Sequence, residues 1–249
     1  MKTNKEIRIR IYRALNNPDA CIRFSEGHSQ VLASYGIKKV TSAEKEWFGD
    51  PKTYLILVES PCGKTTYGGA RLQLKSREFK LPIEKAIGSL DPMIYDLMND
   101  NQEFKTGELC GLWNAKIMSG SGLSVLLVRS GVARAGIFVA RKFNIQSLYT
   151  LSAPWTINMV KEMGFTVEES IGKNGTFEYP SPDLIATILV LKDINSLEKA
   201  SIKERKNIFD LREHPVQKKT ENGPKGPIEV EYELINPGSN SLEIADLVD

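Results

Sequence analysis

Two places in this sequence have residue types and spacing that could do chemistry. The first is Ser119-Gly120-Ser121-Gly122, which leads into a long apolar stretch from Leu123. Glycines at the first turn of a helix let a ligand approach the backbone. The unpaired N–H groups and the dipole there favour an anion such as a diphosphate. Glycine turns also precede many helices that bind nothing. The second place is the strand candidate GELCGLWNAKIM, residues 107–118. Alternation puts Glu108, Cys110, Leu112, Asn114 and Lys116 on one face until a bulge changes the parity, with Gly111 the candidate bulge. Glu108 could be a general base if burial lifts it from its ordinary pKa of about 4.3. The plainer reading is one half of an ion pair with a lysine or arginine.

Other reactive-looking groups have plainer readings. Cys62-Gly63-Lys64-Thr65 ends like a phosphate-binding loop, but Val58 stands where the first glycine belongs and a strand follows, so it is a hairpin turn. Ser121 and Ser124 lack the flanking glycines of a nucleophile elbow. His28 and His214 are the only histidines and lie far apart, which gives no support to a metal site or a histidine-activated serine. Cys110 reads as a small buried thiol. Cys21, Cys62 and Cys110 are odd in number and show no metal-ligand spacing, which fits a reducing, cytoplasmic compartment and no bound metal.

The whole chain limits the classes further. Its 249 residues suffice for one large domain. A net charge of +2 does not suggest a nucleic-acid-binding protein. Residues 123–143 are largely apolar but contain Arg129, Arg134 and Arg141, each costly in hydrocarbon, so the stretch reads as a buried helix and no membrane span is expected. The N-terminus has no apolar segment like that of a secretory signal.

The elements that must position the two candidates follow from periodicity. Ile7, Ile9 and Ile11 alternate with arginines as a half-buried strand. Residues 24–35 read as a helix stopped by Gly36. Residues 54–59 and 68–74 read as a hairpin. After residues 107–118 and the long helix come a strand at 147–151, a helix at 154–163 ended by Gly164, and strands at 165–169 and 183–191. Early antiparallel strands with a later βαβ crossover make an α/β protein with a mixed sheet. Residues 196–213 read as a charged helix. Residues 214–249 are rich in Pro, Gly and acids, and IEVEYELI within them alternates, giving either an edge strand or a mobile tail.

This order resembles the GNAT-fold acyltransferase superfamily over roughly three quarters of the chain, with residues 1–195 as the acyltransferase domain. GELCGLWNAKIM resembles its bulged strand, SGSGLSVLLVRSGVA its diphosphate loop and helix, and SLYTLSAPWTINMVKEMGF its splayed strand and the helix closing on Gly164-Phe165. The resemblance implies a mostly antiparallel sheet with splayed central strands, flanked by helices. The gap would hold the pantetheine arm of acetyl-CoA, a longer acyl-CoA or acyl carrier protein. The diphosphate would rest on the amides of Gly120, Ser121, Gly122 and Leu123, with hydroxyls from Ser121 and Ser124. Arg129 is read as a solvated surface arginine in preference to a phosphate partner.

The implied activity is acyl transfer from a thioester to a primary amine or amino-acid-like acceptor, with Glu108 as base. Two positions depart from the family. Ile117, beside Lys116, stands where the loop usually has Gln or Arg, and Val160 stands where a tyrosine often protonates the thiolate. Tyr149 is a substitute acid or, more simply, a packing residue. A fainter resemblance extends to the acyl-homoserine-lactone synthase branch, whose Glu-x-x-Arg pattern matches at Glu108 but meets Gly111 at the arginine. A non-catalytic binding module and a homodimeric assembly are further options the sequence leaves open.

Overall fold

The computed structural model describes residues 5–37, 40–98, 106–140 and 145–235. The strands are β1 (Lys5–Arg13), β2 (Thr53–Glu59), β3 (Thr66–Leu74), β4 (Thr106–Asn114), β5 (Ser147–Ser152), β6 (Thr166–Val167), β7 (Thr176–Glu178), β8 (Ile185–Leu191), β9 (Val216–Gly223) and β10 (Gly226–Glu233). The α-helices are α1 (Pro18–Ser34), α2 (Pro82–Ile87), α3 (Met93–Met98), α4 (Leu123–Ala140), α5 (Ile157–Glu162) and α6 (Ile202–Glu213). All strands join one sheet in the order β6-β8-β5-β4-β3-β2-β1-β10-β9, with β7 also pairing β8. Among the described strands only β1–β10 and β4–β5 are parallel; the other pairs are antiparallel.

Helix α1 begins earlier than apolar periodicity alone predicts. Pro18 sits in its first turn, where a missing N–H costs nothing. Ala20, Cys21, Phe24 and His28 then form the face packed on the sheet. On the opposite face lies α4, which is rich in apolar residues and buried on most sides because the sheet covers one side and α6 the other. None of the described helices is long and apolar enough to cross a membrane.

Arg129 departs from its reading as a surface arginine. It is 2% exposed, and its guanidinium donates to Glu204 at 2.7 and 3.0 Å and to Glu221 at 2.8 Å. One arginine thereby ties α4 to α6 and β9. Arg134 is likewise buried, its guanidinium 4.4 Å from the Phe138 ring centroid. Arg141 and the end of the apolar stretch, residues 141–143, lie outside the described residues.

The alternation in IEVEYELI is observed as β10. Ile228, Val230 and Tyr232 enter the main core, each worth about 1.5–3 kcal/mol of apolar burial. The intervening Glu231 and Glu233 pair with Arg8 and Arg10 of β1 at 2.8 Å. Strands β9 and β10 thus extend the sheet beyond β1; residues 236–249 lie outside the described residues.

Candidate functional site

Strand β4 carries the site. Gly69 faces Trp113 and Arg71 faces Cys110, so Gly111 and Leu112 together oppose Ala70. That is a β-bulge, and Gly111 adopts the left-handed φ of +59° it requires. A Cβ at Gly111 would come 2.9 Å from the Phe24 ring, so only glycine fits. Before the bulge, Glu108 and Cys110 face the α1–α2 side. After it, Trp113 joins that side while Leu112 packs toward α4.

Strands β4 and β5 pair only at Thr106–Ser147, Gly107–Leu148 and Glu108–Tyr149. Beyond Glu108 they part, and a cleft of about 220 Å³ opens between them. Leu112 and Val128 line it from the α4 side; Glu108, Cys110, His28 and Thr41 line it from the other. A slot lined from both faces of a sheet exists only where the ladder has been broken.

Glu108 lies at the closed end of this slot, 1% exposed. Its Oε2 accepts the Ile83 N–H at 2.8 Å. Burial pushes its pKa up to about 7, although that hydrogen bond and Arg71 pull the other way. A carboxylate with such a pKa is half ionised at neutral pH and suits proton abstraction. Burial pushes the Cys110 thiol up to about 12, which leaves it protonated and a poor nucleophile.

The glycine turn has the predicted backbone, with φ of +70° at Gly120 and +92° at Gly122 immediately before α4. Its residues are not equally available. Ser121 is buried, and both its N–H and its hydroxyl donate to the Met118 carbonyl, at 3.1 and 2.6 Å. The Ser124 hydroxyl accepts from Asn114 at 2.6 Å. Leu123 has its side chain in the core, Gly120 is exposed and Gly122 half-buried. The β9–β10 hairpin tip lies across this turn: the Pro224 ring is 3.1 Å from where a Gly122 Cβ would stand, and Lys225 donates to the Ser119 carbonyl at 2.5 Å. Ile117, at the position of the family's Gln or Arg, is 74% exposed.

Val160 lines the slot and brings no proton to it. Tyr149 packs in the core beside Ile188 and Val190. The phenol that lines the slot is Tyr179, which accepts from the Thr41 N–H at 2.9 Å. Burial raises its pKa, so it keeps its proton. His28, buried with no partner on Nδ1, is held neutral by desolvation, its pKa lowered to about 4. Neither residue was legible in the sequence as part of a site. His28 follows Phe24 by one helical turn, but Tyr179 comes from a loop that only tertiary folding brings to β4. Among the described residues no group of three His, Cys, Asp or Glu side chains could hold a metal.

The bulged β4, the parted β4–β5 ladder, the glycine turn and the helix behind it together define the GNAT fold. No protein-family profile matches the chain and no curated protein matches it in sequence. Solved structures match it in shape. FeeM, an N-acyl amino acid synthase from uncultured soil microbes, aligns with a TM-score of 0.55 at 14% identity, over 81% of this chain and 99% of its own. BjaI, a CoA-dependent acyl-homoserine lactone synthase in complex with SAM and isopentyl-CoA, aligns with a TM-score of 0.50 at 12% identity, over 83% of this chain and 90% of its own.

Proposed function

We propose that this protein is an N-acyltransferase that passes an acyl group from acetyl-CoA or a longer acyl-CoA to a primary amine. One observation carries the reading. The β4–β5 ladder stops at Glu108, and the slot beyond it is lined from both faces of the sheet with a half-ionised carboxylate at its end. A pantetheine arm is a thin, extended chain with amide groups, and unpaired strand edges offer it a backbone ladder. The diphosphate rests at Gly120, Gly122 and Leu123, where the N-terminus of α4 favours an anion. The hairpin tip supplies the ammonium of Lys225 beside that turn, a charge the loop itself lacks at Ile117. Ser121 and Ser124 serve the turn's internal hydrogen bonds more than the ligand.

In the reaction, the Glu108 carboxylate takes a proton from the acceptor ammonium, directly or through a water. The freed nitrogen attacks the thioester carbonyl, and a tetrahedral intermediate forms. That attack forms the C–N bond; collapse of the intermediate re-forms the carbonyl and breaks the C–S bond, and the nitrogen sheds its extra proton to solvent, from which Tyr179 is later reprotonated. The thiolate then takes a proton from Tyr179, which replaces the phenol missing at Val160. Apolar residues that also line the slot, Leu32, Ile37 and Leu184 among them, suit an acyl chain longer than acetyl.

The likeness to FeeM and BjaI supports a second form of the reading, an N-acyl synthase of autoinducer type fed by CoA or acyl carrier protein. Thiol release from acetyl-, octanoyl- and dodecanoyl-CoA with a panel of amines tests the reading, together with heat protection by CoA alone. Protection without turnover would make the protein a binding module. The absence of both protection and turnover would overturn the proposal.

A further inference from the structure

A second cavity, about 410 Å³, adjoins the slot across a wall they share, formed by Thr41 and Pro82. Charged residues, Glu44, Glu46, Arg71 and Lys85 among them, line it together with Trp47, Phe79 and Pro82. Lys85, on its rim, is paired with Glu44 and Glu46, whereas Arg71, which interacts with the buried Glu108, Cys110 and Asp50 only at longer range, makes no close ion pair among the described residues. Arg71 is completely buried. Its guanidinium lies 4.6 Å from the Trp47 ring centroid, and Nη1 donates to the Ser42 carbonyl at 3.2 Å. Nε and Nη2 have no hydrogen-bond partner, and Gln73 beside it has a bare Oε1.

Nε and Nη2 form one edge of the guanidinium, the edge whose two parallel N–H groups match the two oxygens of a carboxylate. Leaving such an edge buried and unpaired is costly. The register places it next to the reacting centre. Gln73 faces Glu108 and Arg71 faces Cys110, so Arg71 and Glu108 are diagonal neighbours on one face of the sheet, roughly 7 Å apart at Cβ. An α-amino acid could span that interval, its amine toward Glu108 and its carboxylate toward Arg71.

We propose that the Arg71 edge is a carboxylate-binding subsite and that the acyl acceptor is an α-amino acid whose side chain occupies this second cavity. The identification of the acceptor rests on the acyltransfer reading above; the carboxylate site does not.

Each of the twenty proteinogenic L-amino acids and its carboxamide is added to the full chain without acyl donor, and the unfolding midpoint is read. At a hundredfold excess over its Kd, at least one free acid should raise the midpoint by roughly 5 °C or more. Its amide should do nothing, and Arg71→Gln should erase the shift. Equal shifts from acid and amide, no shift from any acid, or a full shift in Arg71→Gln would each overturn the proposal. Should Arg71→Gln fail to fold, the acid–amide comparison in the unaltered chain decides alone. An absence of thiol release from acyl-CoA is read in a separate assay, so the two proposals fail distinguishably.

Discussion

Replacing Glu108 by glutamine should stabilise this protein at alkaline pH while stopping its chemistry. Glu108 is fully enclosed, and desolvation raises its pKa to about 7, against an ordinary value of 4.5. The folded state therefore binds this proton more tightly than the unfolded chain does. Below about pH 4.5 both states hold it, and the buried carboxyl costs nothing extra. Between 4.5 and 7 the unfolded chain ionises first, and stability falls as pH rises. Above pH 7 the full gap applies, roughly 3 kcal/mol at about 1.4 kcal/mol per pH unit. Glutamine has nearly the same shape, accepts the Ile83 N–H through its carbonyl, and carries no charge to desolvate. The variant's midpoint should therefore lie within about 2–3 °C of the parent's at pH 5 and exceed it by about 5–10 °C at pH 8. The parent's kcat/KM should rise with pH through an apparent pKa near 7, and Glu108→Gln should lower it by at least about a hundredfold. Calorimetry from pH 5 to 9 and thiol release over the same range check both arms. Parallel midpoints at all pH values would refute the buried-carboxylate argument, and an acid limb below pH 5.5 would refute Glu108 as the base.

Three more expectations follow from the geometry. Gly122→Val forces a branched side chain into φ +92° with Pro224 at 3.1 Å; affinity for CoA should fall at least about tenfold by titration calorimetry, and unchanged affinity would move the anion site elsewhere. Arg129→Met leaves Glu204 and Glu221 buried without their cation and should cost about 3–5 kcal/mol in urea unfolding, with hydrogen exchange accelerating first in α6 and β9; a loss under 1 kcal/mol would mean the cluster is wet. Tyr179→Phe removes the one phenol that lines the slot among the described residues; kcat should fall roughly ten- to a hundredfold with CoA binding retained, and an undiminished kcat would hand the thiolate's proton to solvent.

Local pattern determined much of this protein. The order of strands and helices, the turn at Gly120 to Gly122 and the bulge at Gly111 are written in alternation, helical period and glycine placement, because each depends on a few neighbouring residues. The carboxylate at Glu108 was legible for the same reason: parity along one strand sets its face. The charge of the surroundings was not legible. Arg129 reads as a surface residue until Glu204 and Glu221, 75 and 92 positions away, close around it. The hairpin tip over the glycine turn, Tyr179 at the slot and the bare edge of Arg71 likewise arise from segments distant in sequence. Burial, and with it the ionisation of a side chain, depends on what the rest of the chain packs around it. Only the tertiary structure could therefore decide which of these polar groups are spent inside the protein and which are left to meet a ligand.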